Sequence, residues 1–436
     1  MTRLVTWLLN VFYLALVTIC APFILWAAVR TGKYRDGYGQ KLFGLVPRRA
    51  GSQPCVWLHA VSVGEVNLIA TTLGRLRAAH PEWEFVVSTT SRTGYELARV
   101  KYAGLTVFYC PLDLSWAVRT ALARVRPSLL VLAELELWPN LILAAKEQGT
   151  RVAILNGRMS DHSFPGYLRF RPLVAKLLGR IDLVAAQDEE SAGRFRALGA
   201  PAERVHVTGS LKYDGAQTER ANPKTAALRE LAGFADDDVV FLAGSTQEPE
   251  ERYALEAYRQ LVTKHPKLRL VLVPRHPERF AAVAELLEAS GVEWQRRSTF
   301  PVDQATKRVL LVDTVGELGA WWGTAAMAFV GGSFGPRGGQ NMIEPAAYGA
   351  AVSFGPNTRN FRDIVAALLA AEGAVVVRSA EELTGFVARC LDEPEWAAAL
   401  GANSQALVRS QLGATERTRR LLESLLPQDS AQRSAA

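Results

Sequence analysis

Short, nearly continuous apolar runs, separated by stretches with helical spacing, recur from residue 54 onward, and this rhythm limits the fold more than any other feature. In the first half the runs are 55–60, 85–88, 106–109, 129–133, 152–155 and 183–186, with helical stretches at 66–79, 114–125 and 141–148. A strand with one face in water alternates apolar and polar residues, whereas a strand apolar throughout has both faces covered. Such strands alternating with helices predict a parallel sheet flanked by helices. The segment 214–226 is polar and rich in turn formers and reads as a linker. The alternation then restarts, with strands expected at 239–243, 268–273, 308–312, 327–330 and 350–354 and helices at 253–264, 278–289 and 344–348. The expected fold is α/β: two Rossmann-like, doubly wound domains, 31–213 and 227–427, facing each other across a cleft. Ligands are then expected at the C-terminal ends of the strands. Residues 428–436 are small and polar and read as a flexible tail.

Before the first strand, residues 4–29 contain no charged side chain over 26 positions, more than the roughly 20 that cross a bilayer as a helix. Trp7 and Trp26 stand near its ends, where interfacial rings sit. Residues 1–30 are therefore expected to be a single transmembrane anchor. A cleaved signal peptide fits less well, because the run is too long and no small-x-small site leads into a polar start. Arg3 precedes the run, and Arg30, Lys33, Arg35, Lys41, Arg48 and Arg49 follow it, so the positive-inside rule puts the rest of the chain in the cytoplasm.

Composition narrows the class further. Apolar residues make up 49% and charged residues 21%, which excludes a wholly disordered chain. Four cysteines without a CxxC pair argue against a disulfide scaffold or a thiolate zinc site. Fifty Lys and Arg against 43 Asp and Glu give a net charge of +7, which suits an acidic membrane surface or a phosphorylated substrate. Basic residues are not interleaved with aromatics, so nucleic acid is not expected as a partner. Neither HExxH nor paired His ligands occur, so neither a metal nor another cofactor is expected.

Several strand ends carry candidate chemistry. The glycine-rich stretch Gly331–Glu344 follows an apolar run and leads into a helix, where free N–H groups attract an anion. It matches neither GxGxxG nor a Walker loop. Glu344 near the helix start is placed to hold ribose hydroxyls, or is an ordinary first-turn acid with Asn341 as cap. Pro274-Arg275 closes a strand with a two-pronged donor for phosphate or carboxylate. Gly244-Ser245-Thr246 closes another. Asp313-Thr-Val-Gly-Glu317 forms a Gly-Glu turn. In the first half, Ser62-x-x-Glu65 reads both as a capping box and as a carboxylate aimed at the ligand edge. Glu134 and Glu136, spaced i,i+2 on an extended segment, point the same way and need a cation, a substrate hydroxyl or a lysine beside them. Lys212 at the domain junction is placed to reach the cleft and neutralise an anionic donor, or is a solvated lysine.

Taken in order, WLHAVSVGEV, ELWPN, NGRMSDHSF, AAQDEES, VTGSLKYD, PRHPERF, DTVGEL and GGSFGPRGGQNMIEP resemble the 3-deoxy-D-manno-octulosonic acid (Kdo) transferases of lipopolysaccharide assembly, from the anchor to roughly residue 400. The resemblance implies a GT-B fold of two Rossmann-like domains. It also implies inverting transfer of Kdo from CMP-Kdo to the lipid A precursor at the inner membrane's cytoplasmic face. It makes Glu65 the general base and Glu134 and Lys212 the transition-state stabilisers. Pro274, Arg275, Val315, Gly316, Glu317, Asn341, Met342, Ile343 and Glu344 become the CMP contacts. The chain departs from the family pattern at Leu135, where Thr is common, at Val315, where Met is, at Gln340, where His is, and at Met342, where Pro is. The alternatives are a membrane-anchored GT-B transferase using a UDP-sugar on another lipid, and a two-domain sensor that binds a nucleotide sugar without turnover.

Overall fold

The computed structural model describes residues 3–31, 36–299 and 307–426. The expected tail 428–436, and Lys33 and Arg35 of the basic flank, lie outside them. The chain divides into two compact units, one reaching to Asp214 and resuming at Leu412, the other Gly215–Gln411.

The first unit is built on seven parallel strands: β1 (Cys55–His59), β2 (Glu84–Thr89), β3 (Thr106–Tyr109), β4 (Leu129–Ala133), β5 (Arg151–Gly157), β6 (Leu183–Ala186) and β7 (Val205–Val207). Their order is β3-β2-β1-β4-β5-β6-β7. The even-numbered residues of β1 pack on one side, with Leu129 and Val131, while Cys55 and Trp57 pack on the other with Leu130 and Leu132. Both faces are covered, as the continuous apolar runs require. Trp57 meets Phe108 edge to face at 5.2 Å between ring centroids.

The second unit has β8 (Val239–Thr246), β9 (Leu268–Pro274), β10 (Trp294–Arg296), β11 (Val309–Leu311), β12 (Met327–Val330), β13 (Ala351–Phe354) and β14 (Ala374–Val376). They form a parallel sheet in the order β10-β11-β9-β8-β12-β13-β14. In each sheet the order reverses at one place, β1 beside β4 and β8 beside β12. In open α/β sheets ligands bind at such reversals, outside the C-terminal ends of the strands.

Two expectations about boundaries change. The second unit was expected to run to 427, but it ends at Gln411, because the helix Ala414–Glu423 packs on the helix Val63–Ala79 of the first unit. Ala414 and Leu422 enter that unit's core, and Asp214 accepts the N–H groups of Gly413 and Thr415, capping the returning helix. The expected linker is also shorter: Asn222 caps a helix at Pro223–Leu231.

Candidate active site

In the first unit, β1 ends at His59 and Ser62 caps the helix Val63–Ala79. The turn between them is pinned through Val61, whose carbonyl accepts the hydroxyls of Thr89, Thr90 and Ser91 at 3.1–3.2 Å. Glu65 stands in the first helical turn. Its carboxylate accepts the Val61 N–H at 2.8 Å and the Ser62 hydroxyl at 3.0 Å, while its own N–H donates to Ser62 Oγ at 3.4 Å. The cap and the carboxylate at the ligand edge are thus the same residue. Burial pushes the Glu65 carboxyl above its usual range, and Glu134 adds to the rise, while the bonds from Val61 and Ser62 oppose it.

Glu134 follows β4, directly beside β1 at the reversal. It was expected on extended backbone, with Glu136 pointing the same way. Instead it adopts φ 54°, in the left-handed region, and the chain turns there. Lys212 Nζ lies 3.6 Å from Glu134 Oε1, which supplies the cation that the paired acids needed. Glu136 accepts the Trp138 indole N–H at 2.9 Å, and burial first, then the Glu65 charge, pushes its carboxyl up to about 7. Lys212 is placed by Asn156, a buried residue at φ 57° in β5 whose side-chain oxygen takes the Leu211 N–H at 2.9 Å. Sequence reading assigned Asn156 no role. The only signal was a polar residue inside an apolar strand.

In the second unit, the three expected strand ends do come together. Arg275 donates its backbone N–H to Thr246 O at 3.0 Å, and Gly331 donates to Gly244 O at 2.9 Å. A Cβ at Gly244 would sit 2.5 Å from the Trp322 ring, and one at Gly331 2.6 Å from Thr246 Cα, so both positions demand glycine.

The glycine loop itself differs from expectation. It was expected to let a ligand approach its backbone, with free N–H groups for an anion at the start of the following helix. The N–H groups of Gly332, Ser333 and Phe334 instead donate to the Glu250 carboxylate at 2.7, 2.9 and 3.0 Å, and Gln247 N–H joins them at 2.8 Å. Glu250 is 1% exposed and occupies, from inside the protein, the place an anion would take. This residue was missed in the sequence, where it reads as an ordinary acid opening a helix.

Further along the loop, Asn341 Oδ1 takes the Ile343 N–H at 3.1 Å and Asn341 Nδ2 donates to Glu344 at 3.1 Å. Burial pushes the Glu344 carboxyl up, and the bonds from Asn341 and Trp322 and the charge of Arg275 hold it down. Arg275 is exposed and Pro274 buried. Met342 and Ile343 are 0% and 2% exposed, so both belong to the core beneath the loop. Val315 is exposed and Gly316 takes φ 92°. Glu317 is engaged by Arg297 at 2.8 and 3.0 Å and by Thr314 Oγ1 at 2.8 Å. Arg297 had no role in the sequence reading, since the two lie on different loops.

Comparison with known proteins gives a consistent picture. Residues 37–215 match a family model described as 3-deoxy-D-manno-octulosonic-acid transferase (kdotransferase). The chain is 34% identical to the 3-deoxy-D-manno-octulosonic acid transferase of Haemophilus influenzae, over 95% of this chain and 98% of that one. It is also 34% identical to the protein of the same name from Bordetella pertussis, over 96% and 99%. Among solved structures, it resembles a UDP-GlcNAc 2-epimerase from Neisseria meningitidis with a TM-score of 0.54, covering 85% of this chain and 100% of that one. At 14% identity, that likeness concerns fold alone.

Proposed function

The chain belongs to the 3-deoxy-D-manno-octulosonic acid (Kdo) transferase family, a family of glycosyltransferases, and we propose that it moves Kdo from CMP-Kdo onto a hydroxyl of the lipid A precursor lipid IVA, with inversion at the anomeric carbon. The observation that carries the mechanism is the group Glu65, Glu134 and Lys212 at the strand-order reversal of the first sheet, with one cation 3.6 Å from one of two mutually repelling carboxylates.

In this reading Glu65 takes the proton from a glucosamine hydroxyl as that oxygen attacks the anomeric carbon of Kdo. The bond from that carbon to the CMP phosphate oxygen breaks, and CMP leaves with the electron pair. Base and leaving group act from opposite faces, which inverts the configuration. The raised Glu65 pKa suits a base, because a stronger proton acceptor removes more of the barrier. Lys212 offsets the negative charge that develops, and Glu134 holds Lys212 in place.

The donor falls to the second unit. Arg275 holds the CMP phosphate, Glu344 with Asn341 holds ribose hydroxyls, the backbone of Pro274, Val315 and Gly316 lines the nucleotide, and Met342 and Ile343 support the loop from the core. Glu317, bonded to Arg297, acts by fixing its turn. The reaction takes place at the cytoplasmic face of the inner membrane, where a lipid acceptor and an anionic surface meet a chain of net charge +7.

The test is direct. Detergent-solubilised protein is incubated with CMP-Kdo and tetraacylated lipid A precursor, and the lipid is weighed by mass spectrometry. A gain of one or more Kdo units supports the reading and counts the transfers. No gain, with a control enzyme active in the same mixture, sinks it and turns attention to UDP-sugars as donors.

A further inference from the structure

Length and composition make the N-terminal run a helix able to cross a bilayer, but its contacts argue for another arrangement. The helix Arg3–Thr31 carries Asn10 and Tyr13 on one side. Asn10 Oδ1 accepts the backbone N–H of Ser115 at 2.9 Å, and the Asn10 amide donates to Ser115 Oγ at 2.8 Å. Ser115 opens the helix Ser115–Val125, whose N-cap residue, Leu114, has no side-chain acceptor. Asn10 therefore supplies a cap from 105 residues away. Beside it, Asp113 accepts the N–H groups of Asn140 and Leu141 at 2.9 and 2.8 Å, capping the helix Pro139–Glu147, and also takes the Tyr13 hydroxyl. Asn140 closes the network by donating to Asn10 at 3.4 Å.

These bonds conflict with a crossing. At about 1.5 Å per residue, Asn10 lies roughly 28 Å along the axis from Val29, nearly the full hydrocarbon thickness of about 30 Å. A spanning helix whose C-terminal end meets the cytoplasm would carry Asn10 to the far face, and Ser115, Asp113 and Asn140 belong to the sheet-bearing unit. Trp116, next to Ser115, donates its indole N–H to Leu42 O at 2.9 Å. Neighbouring residues thus hold positions 10 and 42, so the chain leaves and returns on one side. Along the helix, the less exposed positions Thr6, Leu9, Asn10, Tyr13, Val17 and Ala21 fall at steps of three or four residues, the spacing of one face. Trp7, Phe12, Ile19, Phe23 and Trp26 are each more than half exposed. A helix apolar all round must be covered on every side. The folded unit covers one face, and only acyl chains suit the other.

We propose that this helix lies along one leaflet of the membrane, clamped to the first unit by Asn10 and Tyr13, and does not cross the bilayer. The helix that it caps, and the neighbouring helix capped by Asp113, start at the C-terminal edge of the first sheet, the edge that carries Glu65 and Glu134. The membrane therefore lies beside the candidate base, and a lipid acceptor needs to rise little from its leaflet. That consequence rests on the acceptor proposed above, whereas the topology does not.

The test needs no enzymatic activity. Cys20, the one exposed cysteine of the four, is replaced by Ser, and single cysteines are placed near the two ends as Thr2→Cys and Ala436→Cys. Spheroplasts are treated with a membrane-impermeant maleimide before and after lysis. Both positions should react only after lysis, with the protein sedimenting with membranes and resisting a high-salt wash. Labelling of Thr2→Cys in intact spheroplasts, with Ala436→Cys protected, would mean a crossing helix and overturn the proposal. Recovery in the soluble fraction would overturn it as well.

Discussion

Glu65 opens the helix after β1 and Glu250 opens the helix after β8, so the two acids hold matching places beside the strand-order reversals of the two sheets. Their surroundings differ. Glu250 is sealed at 1% exposure and takes four backbone N–H groups, so its charge is spent on holding the glycine loop. Glu65 takes one backbone N–H and one hydroxyl, stays partly open, and lies near Glu134, whose charge raises its proton affinity. One sheet uses the position to build a loop, the other keeps a carboxylate with unspent basicity. Glu317 and Glu344 in the second unit follow Glu250, each already matched to donors.

The sharpest way to break this comparison is Glu65→Gln. A general base contributes about 10²–10⁴-fold, so turnover should fall by that much while CMP binding, read by calorimetry, stays unchanged. Near-normal turnover would reduce Glu65 to a helix cap. Arg275→Ala should weaken CMP binding roughly 10–150-fold, the worth of about 1.5–3 kcal/mol for a bond to a charged group. An unchanged affinity would remove Arg275 from the donor site. Glu250→Gln keeps the shape but turns an amide N–H group toward the donors of the loop. The cost should be about 1–3 kcal/mol of stability in a denaturant titration. A neutral result would mean that the loop holds itself.

Glu136→Gln sharpens the contrast through pH. The folded protein keeps a proton on Glu136 up to about 7, whereas the unfolded chain releases it near 4.5. That proton stabilises the fold fully below the unfolded value, and the benefit is lost as pH climbs through about 7. Gln never ionises, so the Tm of the variant should gain on the parent between these values, and a constant difference across that window would contradict the assignment. The smallest effect belongs to Met342→Leu. A near-isosteric swap in a buried site costs less than about 1.5 kcal/mol and should leave CMP affinity intact, since that side chain faces the core. A lost affinity would mean that the side chain does reach the nucleotide.

Much of the fold could be read in advance. The runs 106–109, 129–133, 183–186 and 327–330 coincide end to end with β3, β4, β6 and β12, because strands covered on both faces are marked by uninterrupted apolar residues. The three strands not anticipated, β7, β10 and β14, are three residues long and close the edges of their sheets, and in β7 and β10 His206, Gln295 and Arg296 also dilute the pattern. Glu65, Glu344 and Arg275 stood out at strand ends by residue type alone. Glu250 and Asn156 did not, because an acid at a helix start is common and one polar residue in an apolar strand does not name its partner.

Local pattern by itself determined the α/β class, the restart after residue 214, the apolar helix and the strand ends where chemistry gathers, since each depends on spacing over a few neighbouring residues. Tertiary structure alone decided that Lys212 answers Glu134, that Glu250 fills the glycine loop, that Asp214 caps a helix returning two hundred residues later, and that Asn10 ties the apolar helix to the first unit. Each of these is a polar group meeting a partner far along the chain. The need to satisfy a buried donor or acceptor is local, but its partner is set by which strand ends the folded sheet brings side by side.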